Sequence, residues 1–295
     1  MRSTLLIPLL LALPLAISLG AEGDPRGEVL RLLNAERQRV GAPPLRLSPE
    51  LTRAAQAHAD EIAARGSLKL RAGSTEAMRE RLKRAGYQAH AWTESLTSGS
   101  GDPQAVLREV RQGDPESWRR LLAPESRDLG VGIDRVGSAP LYALLVAEPS
   151  ADWFARGTAG LRDLGRVRAA ILAAVDAERK KAGVPPLRAN DRLDQAAQRH
   201  AQDMLARHYF AHESPEGETV RERARAAGYD WRAIGENIAE GQLSVDEVMS
   251  TWMHSPPHRK NILDPDYREL GVGLALGRSG NEWQVEWVQT FGTRR

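Results

Sequence analysis

The sequence predicts an α+β fold that occurs twice in tandem, and three observations lead to this prediction. The first is an internal repeat that keeps one register along most of the chain. The second is a helical spacing of apolar residues over most of the second copy. The third is a strand-like alternation of apolar residues at the end of that copy. Helices followed by antiparallel strands predict a domain in which helices pack on the faces of a sheet.

The internal repeat is visible as short motifs that recur at a constant interval. Five motifs of the first copy return 142 residues later: Ala35-Glu-Arg37, Pro43-Pro-Leu-Arg46, His58-Ala59, Arg79-Glu-Arg81 and Gly86-Tyr87. A sixth, Gly130-Val-Gly132, returns after 141 residues as Gly271-Val-Gly273. Chance does not keep a register over so many positions. We therefore predict a first domain at 26–150, a glycine-containing linker at 151–166 and a second domain at 167–295.

Composition limits the class of protein. The chain has 295 residues, 41% of them hydrophobic, which is enough for two domains with cores of their own. The 41 basic and 39 acidic residues nearly cancel, and no run of Lys or Arg is interleaved with aromatic residues. Nucleic-acid binding therefore has little support. The chain contains no Cys, which excludes disulfides, thiolate metal ligands and a lipid anchor attached through Cys.

The N-terminus has the pattern of a secretory signal peptide. A basic residue precedes an apolar run from Leu5 to Leu19, and small residues follow at Gly20 and Ala21. We predict a signal peptide at 1–21. The protein is then secreted or resides in the periplasm or cell envelope, without integral membrane association after cleavage. An uncleaved anchor is the alternative, because the sequence has no Ala-x-Ala cleavage site.

Local signals place the helices of the second domain in order. A helical stripe runs from Val167 to Ala182 and ends before Pro185. The next helix begins at Asn190, a favourable N-cap residue. This helix carries His200 on its apolar face, which favours a structural role for the imidazole over ligand binding. Two capping boxes mark two further helix starts: Thr219-Val-Arg-Glu222 and Ser244-Val-Asp-Glu247.

Strand signals follow these helices. Residues 271–276 form one predicted strand, and Gly280-Asn281 forms the turn after it. Trp283, Val285 and Trp287 alternate along a second strand, which places their side chains on one face of the sheet.

Several motifs of the second domain resemble those of one known family. They are Tyr209-Phe-Ala-His212-Glu-Ser-Pro215, Gly235-Glu-Asn-Ile-Ala239, Trp252-Met-His-Ser-Pro-Pro-His-Arg259, Asn261-Ile-Leu263, Gly271-Val-Gly273 and Gln289-Thr-Phe-Gly292. In this order they resemble the CAP superfamily of cysteine-rich secretory, antigen 5 and pathogenesis-related proteins. The absence of Cys resembles the bacterial branch of that superfamily. The resemblance implies two α-β-α sandwich domains in tandem, an exported protein and a shallow cleft.

The resemblance also implies which residues line the cleft. Family members of the eukaryotic type place two His and two acidic residues there. By position, the two His resemble His212 and His258, and the first acidic residue resembles Glu236. The position of the second acidic residue holds Ser255, and we consider the neighbouring His254 as its replacement.

Two imidazoles and one carboxylate suit two kinds of site. His212, Glu236 and His258 together can ligate a divalent ion, Zn²⁺ or Ca²⁺, and leave a position for an activated water. The same groups can instead form a hydrogen-bonded network that ties three loops together, and Asn237 is predicted to make hydrogen bonds within its own loop. The spacing matches no helical zinc motif, because two prolines separate His258 from the preceding His.

The first copy is an internal comparison for this cluster. At the interval of the repeat, Glu236 corresponds to Glu94, but the two imidazoles correspond to Leu70 and Ser117. A copy that keeps its apolar core and lacks both imidazoles is predicted to be a scaffold or a partner surface. Binding of a different ligand by this copy is the alternative.

Three functions are compatible with the sequence. The leading hypothesis is an exported binding module whose cleft residues, His212, Glu236, Asn237, His254 and His258, contact a cell-wall glycan, a lipid, a peptide or a metal ion. The second is a metal-assisted, peptidase-like hydrolase in which Glu236 is a ligand or the general base. The third is a structural tandem that mediates protein association without a small ligand. No cofactor besides Zn²⁺ or Ca²⁺ is expected.

Overall fold

The computed structural model describes residues 24–66 and 75–295. The chain folds as two compact units, and the boundary between them lies between Pro149 and Ser150. The predicted signal peptide at 1–21 lies outside the described residues, and so does Leu70. Among the helices of the described ranges, none combines the length and the apolar character that a membrane crossing requires.

The first unit contains five helices and four strands in its described part. The helices are α1 (Pro25–Arg39), α2 (Pro49–Arg65), α3 (Thr75–Ala85), α4 (Pro103–Gly113) and α5 (Pro115–Leu121). The strands are β1 (Arg46–Leu47), β2 (Ala89–Ser98), β3 (Asp128–Val136) and β4 (Ala139–Pro149). They form one sheet in the order β1-β3-β4-β2, in which only the β1–β3 pair is parallel.

The second unit repeats this architecture after one additional helix. Its helices are α6 (Ser150–Gly157), α7 (Leu164–Lys181), α8 (Asp191–Arg207), α9 (Val220–Ala226), α10 (Val245–His254) and α11 (Pro256–Leu263). Its strands are β5 (Arg188–Ala189), β6 (Trp231–Glu240), β7 (Glu269–Ser279) and β8 (Glu282–Arg294). The sheet order is β5-β7-β8-β6, the same connectivity as in the first unit.

Each unit is an α-β-α sandwich, which confirms the predicted fold class. In the second unit, α7, α10 and α11 cover one face of the sheet, and α8 and α9 cover the other face. The side chains of β8 alternate between these two layers. Trp287 and Phe291 belong to the core beneath α7, whereas Val288 packs under α8. The sheet is therefore apolar on both faces, and the polar residues of the site described below are exceptions within it.

Two glycines let α8 lie directly on β7. A Cβ at Gly271 would overlap the backbone of Leu193, and one at Gly273 would overlap the backbone of Ala197. The first unit has the same close approach between α2 and the Gly-Val-Gly motif of β3. The recurrence of this motif, noted in the sequence, therefore reflects packing of a helix backbone on a strand backbone.

The outer edge of β7 is closed by a side chain. Strand β5 has only two residues, so it leaves most of β7 without a neighbouring strand on that side. Gln198 of α8 accepts a hydrogen bond from the Leu274 amide at 3.1 Å and donates one to the Leu274 carbonyl at 2.8 Å. In the first unit Gln56 makes the same pair of bonds to Ile133. The amide side chain thus replaces a strand at an edge that would otherwise promote association.

A buried arginine explains another repeated motif. Arg37 is fully buried and, within the described ranges, donates hydrogen bonds only to the backbone carbonyls of Pro43, Leu121, Ala123 and Ser126. Burial lowers the pKa of Arg37 to about 10. Arg179 occupies the corresponding place in the second unit and bonds the carbonyls of Pro185, Ile262, Asp264 and Tyr267. Arg37 thus joins α1 to the segment before β3, and Arg179 joins α7 to the segment before β7.

Most local signals in the second domain mark the observed elements. The side chain of Asn190 caps α8, both capping-box segments begin helices, and the turn at 280–281 joins β7 to β8. The segment 151–166, predicted as a linker, contains α6, and its residues Phe154 and Leu161 lie in the core of the second unit. Phe154 stacks on Trp283 with ring centroids 5.0 Å apart. Apolar contacts therefore hold this segment against the second sheet.

Candidate functional site

The candidate site is centred on Glu236, which lies in the middle of strand β6. The sequence placed Glu236 and Asn237 in a loop, and this was wrong because a strand at the sheet edge with mixed polar residues lacks a clear apolar alternation. The register aligns Glu236 with Thr290 of β8. The carboxylate is nearly inaccessible to solvent, with its side chain 3% exposed.

Arg223 neutralises this buried carboxylate. Its Nη2 atom lies 2.9 Å from Oε2 of Glu236 and 3.1 Å from Oε1. The same guanidinium donates to the His212 carbonyl at 2.9 Å and to the Glu218 carbonyl at 2.7 Å. Arg223 therefore connects α9, the loop between α8 and α9, and strand β6. An ion pair buried in this way requires hydrogen bonds of good geometry, which these contacts provide.

His212 lies at the surface above Glu236. Its side chain is 58% exposed, and Nδ1 is 3.0 Å from Oε1 of Glu236. Because an ionised carboxylate can only accept a hydrogen bond, Nδ1 of His212 carries the proton in this bond. Nε2 of His212 is left available at the surface. His200, which the sequence assigned to a structural role, is buried beside them. It bonds the Ala211 carbonyl at 2.9 Å and lies 3.8 Å from Glu236. Burial lowers the pKa of His200 and favours its neutral form.

An amide network attaches the backbone of His258 to the strand that carries Glu236. Asn237 is fully buried and donates to the His258 carbonyl and to Oε1 of Gln289, both at 3.1 Å. Asn261 donates to Oδ1 of Asn237 at 2.9 Å and to the Glu236 carbonyl at 3.0 Å. These bonds attach helix α11 to strand β6, and they extend beyond the single loop that the sequence predicted for Asn237.

His258 is half-buried in the first turn of α11. Burial lowers the pKa of His258, and the nearby His212 lowers it further, so the imidazole is neutral at neutral pH. Its Nδ1 atom is buried without a hydrogen-bond partner among the described residues.

His254 lies elsewhere. It is exposed at the end of α10, where Nδ1 bonds the Ser250 carbonyl at 2.7 Å. It borders a surface groove formed by α10 and α11 together with Met253, Arg259 and Leu263. Pro256 begins a separate helix, so His254 and His258 do not share a helical face. Its hydrogen bonds go to Ser250 alone within the described ranges, and none joins it to Glu236.

The residues do not form a ready metal centre. Across residues 24–66 and 75–295, no three His, Asp or Glu side chains are grouped so that they could hold one ion. Both oxygens of Glu236 face the guanidinium of Arg223, whose fixed positive charge opposes a divalent ion at the same carboxylate. The geometry favours the hydrogen-bonded network over ligation, and the metal set of His212, Glu236 and His258 stays a prediction.

The first unit keeps part of this network in a different arrangement. His58 Nδ1 bonds Glu94 at 2.7 Å, and these residues correspond to His200 and Glu236. Arg81, which corresponds to Arg223, pairs with Glu61 at 2.8 Å instead of with Glu94. The first copy therefore retains a partly buried carboxylate and a buried histidine, so it has not lost the whole polar cluster.

Comparison with known proteins identifies the family. The model of the cysteine-rich secretory protein (CAP) family matches residues 30–144 and 172–291, which together make up most of the chain. The chain belongs to the CAP family. Both units are CAP domains of the bacterial, cysteine-free type.

Two bacterial relatives are similar to parts of this CAP protein. YkwD of Bacillus subtilis, an uncharacterised protein, is 36% identical over 118 residues, which cover 40% of this chain and 45% of that protein. YlbC of the same organism, an uncharacterised membrane protein, is 32% identical over 104 residues, or 35% of this chain and 30% of that protein. The chain thus spans less than half the length of both relatives.

Solved structures of CAP proteins are similar at lower identity. An extracellular protein with an SCP domain from Bacillus anthracis is 22% identical with a TM-score of 0.40, covering 53% of this chain and 52% of that chain. A cysteine-rich secretory protein of Staphylococcus aureus is 15% identical with a TM-score of 0.37, and the match covers 56% of this chain and 54% of that chain.

Sequence reasoning missed Arg223 as a member of the site. The signal that could have found it is the repeated Arg-Glu-Arg motif, whose last residue is buried in both units. A buried arginine needs an anionic or carbonyl partner, and the only carboxylate already assigned to the cleft was Glu236.

Proposed function

We propose that this CAP protein is an exported binding module whose second domain holds a polar ligand at His212 and His258. One observation carries the proposal: the exposed imidazole of His212 is oriented by a buried, ion-paired carboxylate. Orienting a surface histidine in this way restricts its rotamers, which serves recognition more than stability. The predicted signal peptide supports a place outside the cytoplasm.

The proposed ligand offers hydroxyl or carbonyl groups. Nε2 of His212 is free to accept a hydrogen bond because Glu236 holds the proton on Nδ1. A neutral His258 adds one more donor or acceptor without adding charge. Sugar hydroxyls and peptide amides provide matching groups, so cell-wall glycans and their peptides are the proposed class. Lipid head groups, which the sequence also allowed as ligands, are the alternative organic ligand.

Calorimetric titration of the full chain with soluble peptidoglycan fragments tests the proposal. We expect binding that His212→Ala and His258→Ala each weaken by about tenfold or more, the loss of one good hydrogen bond or more. His254→Ala is the matched control, because this exposed histidine bonds only Ser250 in the described ranges. Equal binding by all three variants would refute the proposed site. Titration with Zn²⁺ on the same proteins tests the metal prediction.

A hydrolase is the second candidate, and the Glu236–His212 hydrogen bond favours it. A carboxylate that holds Nδ1–H leaves Nε2 as a base within reach of a water molecule. If hydrolysis occurs, incubation of the same fragments with the full chain should release products, and His212→Ala should abolish their release. Fragments that stay intact after prolonged incubation would contradict hydrolysis, and binding would then be the favoured function.

A further inference from the structure

The second domain carries a dense group of arginines away from His212. Two guanidinium groups of helix α9 lie close to the indole ring of Trp231. Arg221 is 5.8 Å and Arg225 is 5.7 Å from the ring centroid. These residues are four apart on α9, which places them on one side of the helix. Cation–π attraction to the ring restrains both guanidinium groups, and both arginines are exposed to solvent.

Three more arginines surround the same short segment. The Arg294 guanidinium lies 5.5 Å from the ring centroid of Tyr229. Arg295 donates from Nε to the Trp231 carbonyl at 3.2 Å, and Arg192 donates to the carbonyl of the glycine that precedes Tyr229. We name this group the arginine surface, and its members are Arg192, Arg221, Arg225, Arg294 and Arg295.

The arginine surface has more positive charge than its neighbours neutralise. Arg294 pairs with Glu269 at 3.3 Å, and Arg295 pairs with the exposed Asp230 at 3.6 Å. The other three arginines make no ion pair within the described part of the chain. Because the whole chain has a net charge of only +2, this surface is a local concentration of charge.

The first domain keeps basic residues at the positions of the two α9 arginines but lacks the rest of the group. The cross-strand pair Trp231 and Arg294, at the bulge between β6 and β8, corresponds to Ala89 and Pro149 in the first sheet. The position of Arg192 holds Glu50 in the first copy, which reverses the charge. The fold therefore does not require Trp231, Arg192 or Arg294, since the same architecture forms with other residues at these positions.

We infer that the arginine surface binds a polymer that carries phosphate groups, at a place separate from His212 and His258. One guanidinium group can donate two N–H bonds to the oxygens of one phosphate, and several guanidinium groups on one surface match the repeated charge of such a polymer. A membrane surface fits less well, because the large hydrophobic side chains that are exposed among the described residues, Val40 and Phe210, lie outside this group.

Binding of long-chain inorganic polyphosphate to the full chain tests this inference. Dissociation constants are measured by fluorescence anisotropy over a series of NaCl concentrations for wild type and two double variants. Arg221→Ala with Arg225→Ala removes the two arginines beside Trp231. Arg79→Ala with Lys83→Ala, at the corresponding positions of the first copy, is the matched control. Circular dichroism melts verify that all proteins are folded.

We expect polyphosphate binding that weakens steeply with salt. The first double variant should lose about tenfold or more in affinity at low salt, and its log–log salt slope should fall by about two, one for each phosphate contact removed. The control variant should bind like wild type. Absence of binding at low salt, or equal losses in both variants, would overturn the inference. Equally tight binding of polyglutamate would overturn the assignment to phosphate.

Discussion

Nη2 of Arg223 lies 2.9 Å from Oε2 of Glu236, and each side chain is 3% exposed. The same arginine binds the carbonyl of His212, whose imidazole bonds the same carboxylate. One buried cation therefore fixes both the carboxylate and the backbone of the loop that bears the exposed imidazole. The corresponding Arg81 of the first domain pairs with Glu61 instead, so this arrangement around the carboxylate belongs to the second domain.

Replacement of Arg223 should destabilise the second domain strongly. Arg223→Met leaves the buried carboxylate of Glu236 without its counter-charge, which costs about 3–5 kcal/mol of unfolding free energy. Chemical denaturation of the full chain, followed by tryptophan fluorescence, measures the loss.

The double variant Arg223→Met with Glu236→Gln isolates the charge effect. It should be more stable than Arg223→Met alone, because no uncompensated charge is buried. If the double variant is no more stable than the single one, the ion pair is not what Arg223 contributes.

Glu286 should make the second domain less stable as pH rises. It is buried opposite Glu240 on the neighbouring strand, and its Oε2 atom has no hydrogen-bond partner in the described ranges. Burial, with a smaller effect of Glu240, raises the pKa of Glu286 from 4.5 to about 7. The folded state thus holds the proton more tightly than the unfolded state. The contribution of this proton to the free energy of unfolding is therefore complete below about pH 4.5 and is lost as pH rises through about 7.

Glu286→Leu should remove this pH dependence. The register of the repeat places Leu141 at the corresponding position of the first domain, so the sheet accommodates leucine there. At pH 8 we expect the variant to be more stable than wild type by about 3 kcal/mol, the free energy of a pKa shift of this size. Urea denaturation at pH 5 and pH 8 checks the expectation, and a similar gain at both pH values would contradict it.

Gly273→Ala should separate α8 from the sheet. The added Cβ would overlap the backbone of Ala197, which cannot rotate away as a side chain could. Overpacking of this kind costs about 1–3 kcal/mol or more. Gly160→Ala is the control, because a Cβ there meets no atom within 4 Å. Thermal unfolding of both variants should show a lower midpoint for Gly273→Ala alone.

Gln198→Ala should expose the edge of β7. Without this side chain, the amide and carbonyl of Leu274 lose their partners at the open side of the sheet. We expect self-association that increases with protein concentration, measured by analytical ultracentrifugation. Gln195→Ala, on an exposed position of the same helix, should leave the protein unchanged in this assay.

Local signals predicted much of the architecture. The caps at Asn190, Thr219 and Ser244 act within a few residues of themselves, so the sequence was sufficient to locate the helices that they begin. Strand β6 was missed because its residues include a carboxylate and an amide that are buried only by contacts distant in the chain. Such contacts leave no periodic signal.

The sequence by itself determined the family, the duplication and the imidazoles of the candidate site, because motifs and their spacing are properties of the chain. The tertiary structure decided which groups meet. It paired Glu236 with Arg223 and His212, placed His254 in another groove and brought five arginines around Trp231. These relationships depend on how separate elements pack, and packing is set by the whole core and not by any single segment.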